Sequence, residues 1–277
     1  MSAVTTLDAP TRHEGPAAPS PQRMIVAWQH PDSRAILPVG VLTRTERDYT
    51  FAYLESVREI DGFRPLLGFR DFDQRYHSSE LFHLFAQRVM SSRRPDYARY
   101  VTELGLNPED FEPWEQLARS QGSRAVDRLQ LFPVPSVVGG SVRCAFLVHG
   151  TRHVPGQEFV VDGEPVLMSL MEYEAMLSAL EAGTEVHLLS QPENLVNPEA
   201  LLVVGDARSP LGWVPDFLVH EVRRLQEVTT VEARVLRVNG AEASPHLRVL
   251  AELRAEGAEG FEFFSGPEWR EIPASDQ

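Results

Sequence analysis

Two polar turns carry the side chains best suited to binding a ligand. A turn that contains Gly and Pro holds Arg152 and His153. The planar arginine fork suits a phosphate, and an imidazole ring can stack on a base. A later turn holds Asn194 and Asn197, whose amides both donate and accept hydrogen bonds. We predict that these four side chains line one pocket. The alternative is a structural role, because Asn also forms turns by bonding to nearby backbone.

Three further residues join the predicted binding set. Trp213 lies in a Leu-Gly-Trp-Val-Pro segment, where the ring either packs in the core or offers a stacking surface. Arg223 and Arg224 lie late in a predicted helix. The helix dipole favours cations there, and a phosphate contact is the functional alternative. The predicted site therefore comprises Arg152, His153, Asn194, Asn197, Trp213, Arg223 and Arg224.

The composition excludes several kinds of catalysis. All 26 basic residues are arginine, so the lysine that a P-loop, a protein kinase or a Schiff-base enzyme needs is missing. Cys144 is the single cysteine, which excludes an intrachain disulfide and a cysteine-based zinc site. The nine histidines contain no His-Glu-x-x-His pair. We predict no catalytic residue, no metal and no cofactor, and we keep an unrecognised nuclease or other hydrolase as the last alternative.

The charge balance limits the kind of nucleic acid that the chain can bind. The net charge is −14, and residues 143–225 hold five Arg against twelve Asp and Glu. Duplex binding usually requires a basic face, because neutralised phosphates supply most of the affinity. The sequence therefore argues against extended duplex binding and leaves room for a small pocket that grips one strand end.

Composition and hydrophobic patterning divide the chain into five parts. Residues 1–22 are rich in Ala, Pro, Ser and Thr, which predicts a disordered tail. Residues 23–132 form a first domain. Two prolines and two glycines in 133–141 are typical of a linker. Residues 142–254 form a second domain. The tail 255–277 is acidic but contains four large aromatic residues, so docking onto a domain is expected as an alternative to a solvated tail.

Periodicity predicts an α+β protein with strands and short helices in both halves. In the first half the pattern predicts strands Met24–Trp28, Leu37–Leu42, Tyr49–Leu54 and Leu129–Phe132, and helices that begin near Ser79, Pro95 and Trp114. In the second half it predicts strands Arg143–Val148, Thr184–Leu189, Ala200–Val204, Thr230–Val238 and His246–Leu253, and helices Leu170–Leu180 and Phe217–Leu225.

The second half resembles the HIRAN domain, a small β-barrel that occurs fused to helicases and free-standing in bacteria. The resemblance rests on Phe146–His153, on the Asn-containing turn, and on the Leu211–Pro215 corner. It implies binding of nucleic-acid ends, with Arg152 at the family's arginine and His153 at its aromatic position. Two departures lie in the turn, where Val196 replaces an aromatic ring and Asn197 replaces a carboxylate that can accept a bond from a terminal hydroxyl.

Residues 24–106 resemble the N-terminal subdomain of HipA-type toxin kinases. The resemblance rests on Val39–Arg44, on Tyr49–Tyr53 and on the predicted helix from Ser79. In that family the subdomain packs on a kinase core or exists as a separate regulatory chain. This resemblance implies a protein partner rather than an activity.

These observations lead to one preferred function and one main alternative. We expect a non-enzymatic adaptor, an α+β domain followed by a HIRAN-like β-barrel with short helices, that binds single-stranded DNA or a 3′ DNA end during repair or replication. The alternative is a protein-interaction or regulatory module, comparable to a toxin–antitoxin partner, without DNA binding. No segment approaches the length of a membrane span, so we expect no membrane contact and a cytoplasmic location.

Overall fold

A five-stranded antiparallel sheet forms the base of the N-terminal half. The computed structural model describes residues 22–110, 112–122 and 128–273, so the predicted tail lies outside the described residues except for Gln22. The strands are β1 (Arg23–Gln29), β2 (Ile36–Arg44), β3 (Tyr49–Tyr53), β4 (Tyr76–Ser78) and β5 (Leu129–Pro133), in the order β4-β3-β2-β1-β5. The helices are α1 (His83–Ala86), α2 (Tyr97–Glu103) and α3 (Pro113–Ser120). All four predicted strands are present, with β4 in addition.

An aromatic core covers one face of this sheet. Phe51 and Tyr53 on β3 are fully buried and pack against each other with ring centroids 4.9 Å apart. The Tyr53 hydroxyl donates to the Phe69 carbonyl at 2.8 Å and accepts from the Leu66 amide at 2.7 Å. This hydroxyl therefore ties the long connection between β3 and β4 to the core.

The predicted helix from Ser79 is wrong in extent, because α1 covers a single turn, His83–Ala86. The Ser78 hydroxyl donates to the Glu80 carbonyl at 2.6 Å and accepts from the Glu80 amide at 3.1 Å. These bonds stabilise a local turn in place of a helix start, as Ser side chains commonly do. Phe82 then keeps an extended ψ of 137°. The Ser78 hydroxyl therefore competes with the helical hydrogen bonds of the backbone. As a result, α1 is shorter than its apolar spacing predicts.

The second half is built on a seven-stranded sheet. Its order is β12-β11-β10-β13-β14-β7-β6. The strands are β6 (Val137–Val138), β7 (Ser141–Leu147), β10 (Glu185–Ser190), β11 (Leu201–Gly205), β12 (Ser209–Trp213), β13 (Val231–Val238) and β14 (Val249–Ala255). A separate hairpin consists of β8 (Glu158–Val161) and β9 (Glu164–Leu167), and the helices are α4 (Leu170–Ala179) and α5 (Asp216–Val228).

The α+β class is confirmed, but the expected barrel is not closed. At one end, Trp213 of the edge strand β12 exchanges two backbone hydrogen bonds with His149, just after β7, each 2.9 Å long. A closed barrel needs a continuous ladder between its first and last strands. Pro215 has no amide to extend this ladder, and the chain turns into α5 at Asp216. Among the described residues, β12 therefore pairs with the segment after β7 through one residue pair only, His149 and Trp213.

The two halves share a buried contact rather than a free linker. In the segment predicted as a linker, β6 pairs with β7, and Val134 is buried. Phe132 of β5 stacks on Phe217 of α5, with centroids 4.1 Å apart and planes 12° apart. A third apolar cluster thus joins residues from both halves.

The C-terminal segment packs on both halves over its described residues. Phe264 and Trp269 contact each other and Phe217, with ring centroids 4.9–5.7 Å apart. The Ile272 amide donates to the Tyr53 carbonyl at 2.8 Å, and the Glu271 carboxylate pairs with Arg75. Burial of aromatic side chains such as Phe263 and Phe264 explains why this acidic segment packs on the two halves. In the described part of the chain, no helix has the length and apolar character to cross a membrane.

Candidate functional site

One end of the seven-stranded sheet gathers most of the predicted site. β10 ends at Ser190, which pairs with Leu201 at the start of β11, and Leu202 pairs with Trp213 at the end of β12. The His149–Trp213 pair adds the end of β7 to the same place. The turn after β7, the turn between β10 and β11, and the start of α5 therefore project from one end of the sheet.

A single helical turn, Thr151–His153, presents Arg152 and His153 to solvent. The Arg152 Nε–H donates to Nε2 of His153 at 3.0 Å, so the two predicted ligand-binding side chains lie together. Thr151 anchors this turn, because its hydroxyl donates to the Pro245 carbonyl at 2.6 Å. The backbone of this turn is thus anchored while the Arg152 side chain remains exposed.

Asn194 and Asn197 stabilise the turn between β10 and β11. The Asn194 Oδ1 accepts from the amides of Val196 and Asn197 at 3.0 and 3.1 Å. The Asn197 Oδ1 accepts from the Glu199 amide at 2.9 Å. Both residues thus have the turn-forming role that was the structural alternative. The tip of the turn projects into solvent, since Leu195 is 101% exposed and Val196 88% exposed.

Asp216 is the residue of this site that sequence reasoning missed. Its Oδ1 accepts from Nδ2 of Asn197 at 2.9 Å, which joins the turn to the first residue of α5. Asn197 is the position where the HIRAN resemblance implies a carboxylate, so Asp216 supplies an exposed carboxylate next to it. Its place after Pro215 at a helix start was the available signal, but that position by itself indicates only helix capping.

Trp213 and two glycines, Gly150 and Gly212, allow β12 to lie close to the end of β7. A Cβ on Gly150, which has φ of +69°, would lie 2.5 Å from the Trp213 ring. A Cβ on Gly212, at φ +138°, would lie 2.4 Å from the His149 carbonyl oxygen. Trp213 also packs on Phe159, with centroids 5.7 Å apart, so its ring is partly in the core. The close approach depends on both glycines.

The two predicted arginines of α5 have different surroundings. Arg223 donates to the Glu199 carbonyl and to the Ser190 hydroxyl at 2.8–3.0 Å, so it closes the base of the asparagine turn. Arg224 donates to Glu221 at 2.7 Å and lies over the Phe261 ring at 5.1 Å. The structure therefore groups Arg223 with the other predicted residues and groups Arg224 with the C-terminal segment.

Burial shifts the pKa of His149 at this end of the sheet and of Cys144 on β7. Burial lowers the pKa of His149 below its ordinary value, and the Asp216 carboxylate partly opposes this effect. Burial raises the pKa of the Cys144 thiol to about 12, which leaves it protonated and non-nucleophilic. No group of three or more His, Cys, Asp or Glu side chains within the described ranges is arranged to hold a metal ion.

Comparisons with known proteins give two partial structural likenesses. No family model matches the chain, and no curated protein matches it. The HIRAN domain of human HLTF is 19% identical, covering 47% of this chain and 96% of that one, with a TM-score of 0.29. A protein from Lactobacillus plantarum is 16% identical, covering 42% of this chain and 99% of that one, also with a TM-score of 0.29. At this TM-score the likenesses carry no argument about what the chain binds, and the HipA resemblance stays a prediction.

Proposed function

We propose that this chain is a nucleic-acid-binding adaptor that grips single-stranded DNA, or a 3′ DNA end, at one end of its second sheet. The observation that carries the proposal is the joining of three separate segments at that end. The His149–Trp213 backbone pair brings in the turn with Arg152, and the Asn197–Asp216 hydrogen bond brings in the asparagine turn.

The side chains at this end have complementary roles toward a strand terminus. The exposed Arg152 guanidinium binds a phosphate, for which its planar fork is suited. The His153 ring beside it stacks on a base. The Asp216 carboxylate accepts a hydrogen bond from the terminal 3′-hydroxyl, which makes this bond charge-assisted. Asn197 has its amide nitrogen and its oxygen engaged within the protein, so it positions Asp216 rather than contacting the end directly.

The charge around this end favours a short contact. Residues 154–207 contain ten Asp or Glu and no Arg or Lys. The net charge of −14 opposes an extended phosphate backbone, because backbone binding requires several neutralising cations. Arg152 is exposed at this end, whereas Arg223 is engaged with Glu199 and Ser190, so the free cation here suits a grip on one terminal phosphate. A role in DNA repair or replication fits such an end-binding adaptor.

A protein-interaction module is the second candidate. The observation that favours it is the apolar tip of the asparagine turn, where Leu195 and Val196 are almost fully exposed. Adjacent exposed aliphatic side chains are more typical of a protein contact than of a phosphate contact. In this alternative a partner chain, such as a toxin–antitoxin partner, contacts the same end of the sheet or the N-terminal half.

Fluorescence anisotropy with a labelled single strand tests the proposal. Strands that end in a 3′-hydroxyl and in a 3′-phosphate are compared at two salt concentrations. We expect salt-sensitive binding that prefers the hydroxyl. Arg152→Ala should lower the slope of log affinity against log salt by about 0.7, the value for one phosphate contact on a single strand. Asp216→Asn should reduce the preference for the hydroxyl.

Arg47→Ala is the matched control, because Arg47 is an exposed arginine on the β2–β3 hairpin of the other half. It removes the same charge from the protein and should leave the affinity unchanged. Equal weakening by Arg47→Ala and Arg152→Ala would show non-specific attraction and refute a site at Arg152. Absence of binding at low salt would refute the nucleic-acid function and favour the protein-interaction candidate.

A further inference from the structure

A small cavity lies where the two halves of the chain meet. Its volume is about 30 Å³, which is room for roughly two or three groups the size of a water molecule. In the first half it is lined by Arg119 of α3 and Phe132 of β5. In the second half it is lined by Leu147 of β7 and by Phe217 in the first turn of α5. We call this space the seam cavity.

Arg119 is the charged residue of the seam cavity. Of the described residues that line the cavity, Arg119 alone carries a charge. Its Nη1 atom is buried, and within the described ranges of the chain it has no hydrogen-bond partner. A buried cation is costly unless another group replaces the water that it has lost. The position of Arg119 therefore favours a ligand that accepts hydrogen bonds and carries a negative charge.

The neighbouring acidic side chains leave Nη1 available to such a ligand. Burial lowers the pKa of the Arg119 guanidinium, and electrostatic interactions with Cys144, Glu115 and Glu252 partly oppose this effect. An arginine nevertheless stays charged at neutral pH. Glu252 already pairs with one arginine on β13 and one on β14, at 2.9 and 2.6 Å. Neither glutamate bonds to Nη1 of Arg119.

The first turn of α5 adds a second feature that favours an anion. Pro215, Phe217 and Leu218 line the seam cavity, and Pro215 at the N-terminal cap position provides no side-chain bond to the first amides of the helix. The N-terminal end of a helix carries a partial positive charge, which stabilises a nearby anion. The carboxylate of Asp216 in this turn accepts from Asn197, as described above. Two separate segments, α3 and α5, thus favour negative charge in the same small space.

The other walls of the seam cavity are mainly apolar. Phe132 and Phe217 stack on each other, and Phe264 of the C-terminal segment lies against Phe217 with ring centroids 5.3 Å apart. All three rings line the cavity. Such walls suit a short alkyl group, whereas the planar guanidinium suits a carboxylate.

We propose that the seam cavity binds a small monocarboxylate, of the size of formate or acetate. Its carboxylate accepts hydrogen bonds from Arg119, and its alkyl group contacts the rings of Phe132 and Phe217. Because the ligand contacts both α3 and α5, it stabilises the packing of the two halves. This site does not depend on the proposed nucleic-acid function, and none of the proposed nucleic-acid contacts takes part in it.

Saturation-transfer NMR from the full chain to acetate, in a chloride-free buffer, tests this proposal. We expect acetate to bind, formate to displace it, and pivalate not to compete, because pivalate has the same charge but carries three additional methyl groups. Acetate should also raise the melting temperature above that in an equal concentration of pivalate, because it binds only the folded chain. Arg119→Met keeps the aliphatic stem and removes the charge. It should weaken acetate binding about tenfold or more, the loss expected for one hydrogen bond to a charged group.

Arg99→Met is the matched control, because the Arg99 side chain is 64% exposed on α2 in the same half of the chain. It removes the same charge and should leave acetate binding unchanged. Equal weakening by the two variants, or equal binding of pivalate and acetate, would show non-specific attraction and overturn the proposal. Absence of acetate binding would mean that water alone solvates Arg119, and would overturn it as well. Displacement of acetate by an equal concentration of chloride would contradict the assignment to a carboxylate.

Ala145→Val provides an independent test that keeps Arg119, including the case in which Arg119→Met does not fold. Ala145 lies on β7 and lines the seam cavity. The two added methyl groups occupy the space that acetate needs, and a β-branched side chain suits a strand. This variant should lose acetate binding and the melting-temperature difference between acetate and pivalate. Undiminished acetate binding in a folded Ala145→Val chain would show that acetate binds elsewhere.

Discussion

The substitution Asn197→Asp tests how the asparagine turn is attached to α5. The amide of Asn197 donates to the Asp216 carboxylate at 2.9 Å in a solvent-exposed position. Replacing the amide removes this hydrogen bond, at a cost of about 1 kcal/mol. It also places two carboxylates near each other, which costs about 1 kcal/mol at roughly 4 Å in water. The sum is about 2 kcal/mol, so opening of the turn should become about thirtyfold more frequent.

Native-state hydrogen exchange of the turn amides measures this opening. The Glu199 amide is the most informative probe, because its acceptor is Oδ1 of residue 197 and an Asp keeps that acceptor. Faster exchange therefore reports detachment from α5 rather than loss of the local bond. Asn194→Asp is the control, since it adds the same charge to the same turn and keeps an oxygen at the position that accepts from Val196.

A second substitution should reverse the effect. Asp216→Asn in the Asn197→Asp background lets the new amide donate to the new carboxylate, so the bond returns with its direction exchanged. The double variant should recover most of the protection, less about 0.3–1 kcal/mol for loss of a carboxylate at a helix N-terminus. Unchanged exchange in Asn197→Asp, or no recovery in the double variant, would refute the attachment inferred from the structure.

Three further predictions concern stability. Tyr53→Phe should lower the free energy of unfolding by about 2–3 kcal/mol in urea denaturation, because its buried hydroxyl satisfies one backbone carbonyl and one backbone amide; a loss below about 0.5 kcal/mol would contradict this. Hydrogen bonds from Arg248 lower the pKa of Glu174. Since the pKa is lower in the folded than in the unfolded chain, this pair stabilises the fold above about pH 5 and loses its effect as the pH falls further. Urea titrations at several pH values should therefore show a smaller acid-induced loss in Glu174→Gln than in the unmodified chain. Gly212→Ala should lower the melting temperature, because its Cβ would lie 2.4 Å from the His149 carbonyl oxygen; an unchanged melting curve would mean that β12 and β7 can separate without cost.

The local elements follow closely from the sequence. Strands β1, β2 and β3 and helix α5 lie within a few residues of their predicted bounds, because alternating or helical apolar spacing specifies each element from its own residues. The α+β class follows from the same patterns. Helix α1 is shorter than predicted, since a serine hydroxyl competed for the backbone. Five short strands were not predicted, namely β4, β6, β8, β9 and β12.

Part of the candidate site also follows from sequence. The turn that contains Arg152 and His153 leaves both exposed, as expected of a polar segment with Gly and Pro. The asparagines form their turn for a reason that is also local, because an Asx side chain bonds to amides two or three residues ahead. The structural role of a side chain within its own turn can therefore be predicted from the sequence alone.

The sequence by itself determined most of the longer strands and helices, the absence of lysine chemistry, and the polar turns with their exposed side chains. The tertiary structure decided which turns meet. The His149–Trp213 pair, the place of Asp216 beside Asn197 and the docking of the C-terminal aromatic residues join segments distant in sequence. Such contacts depend on how complete sheets and helices pack, and periodicity within one segment contains no information about the segment that will lie beside it.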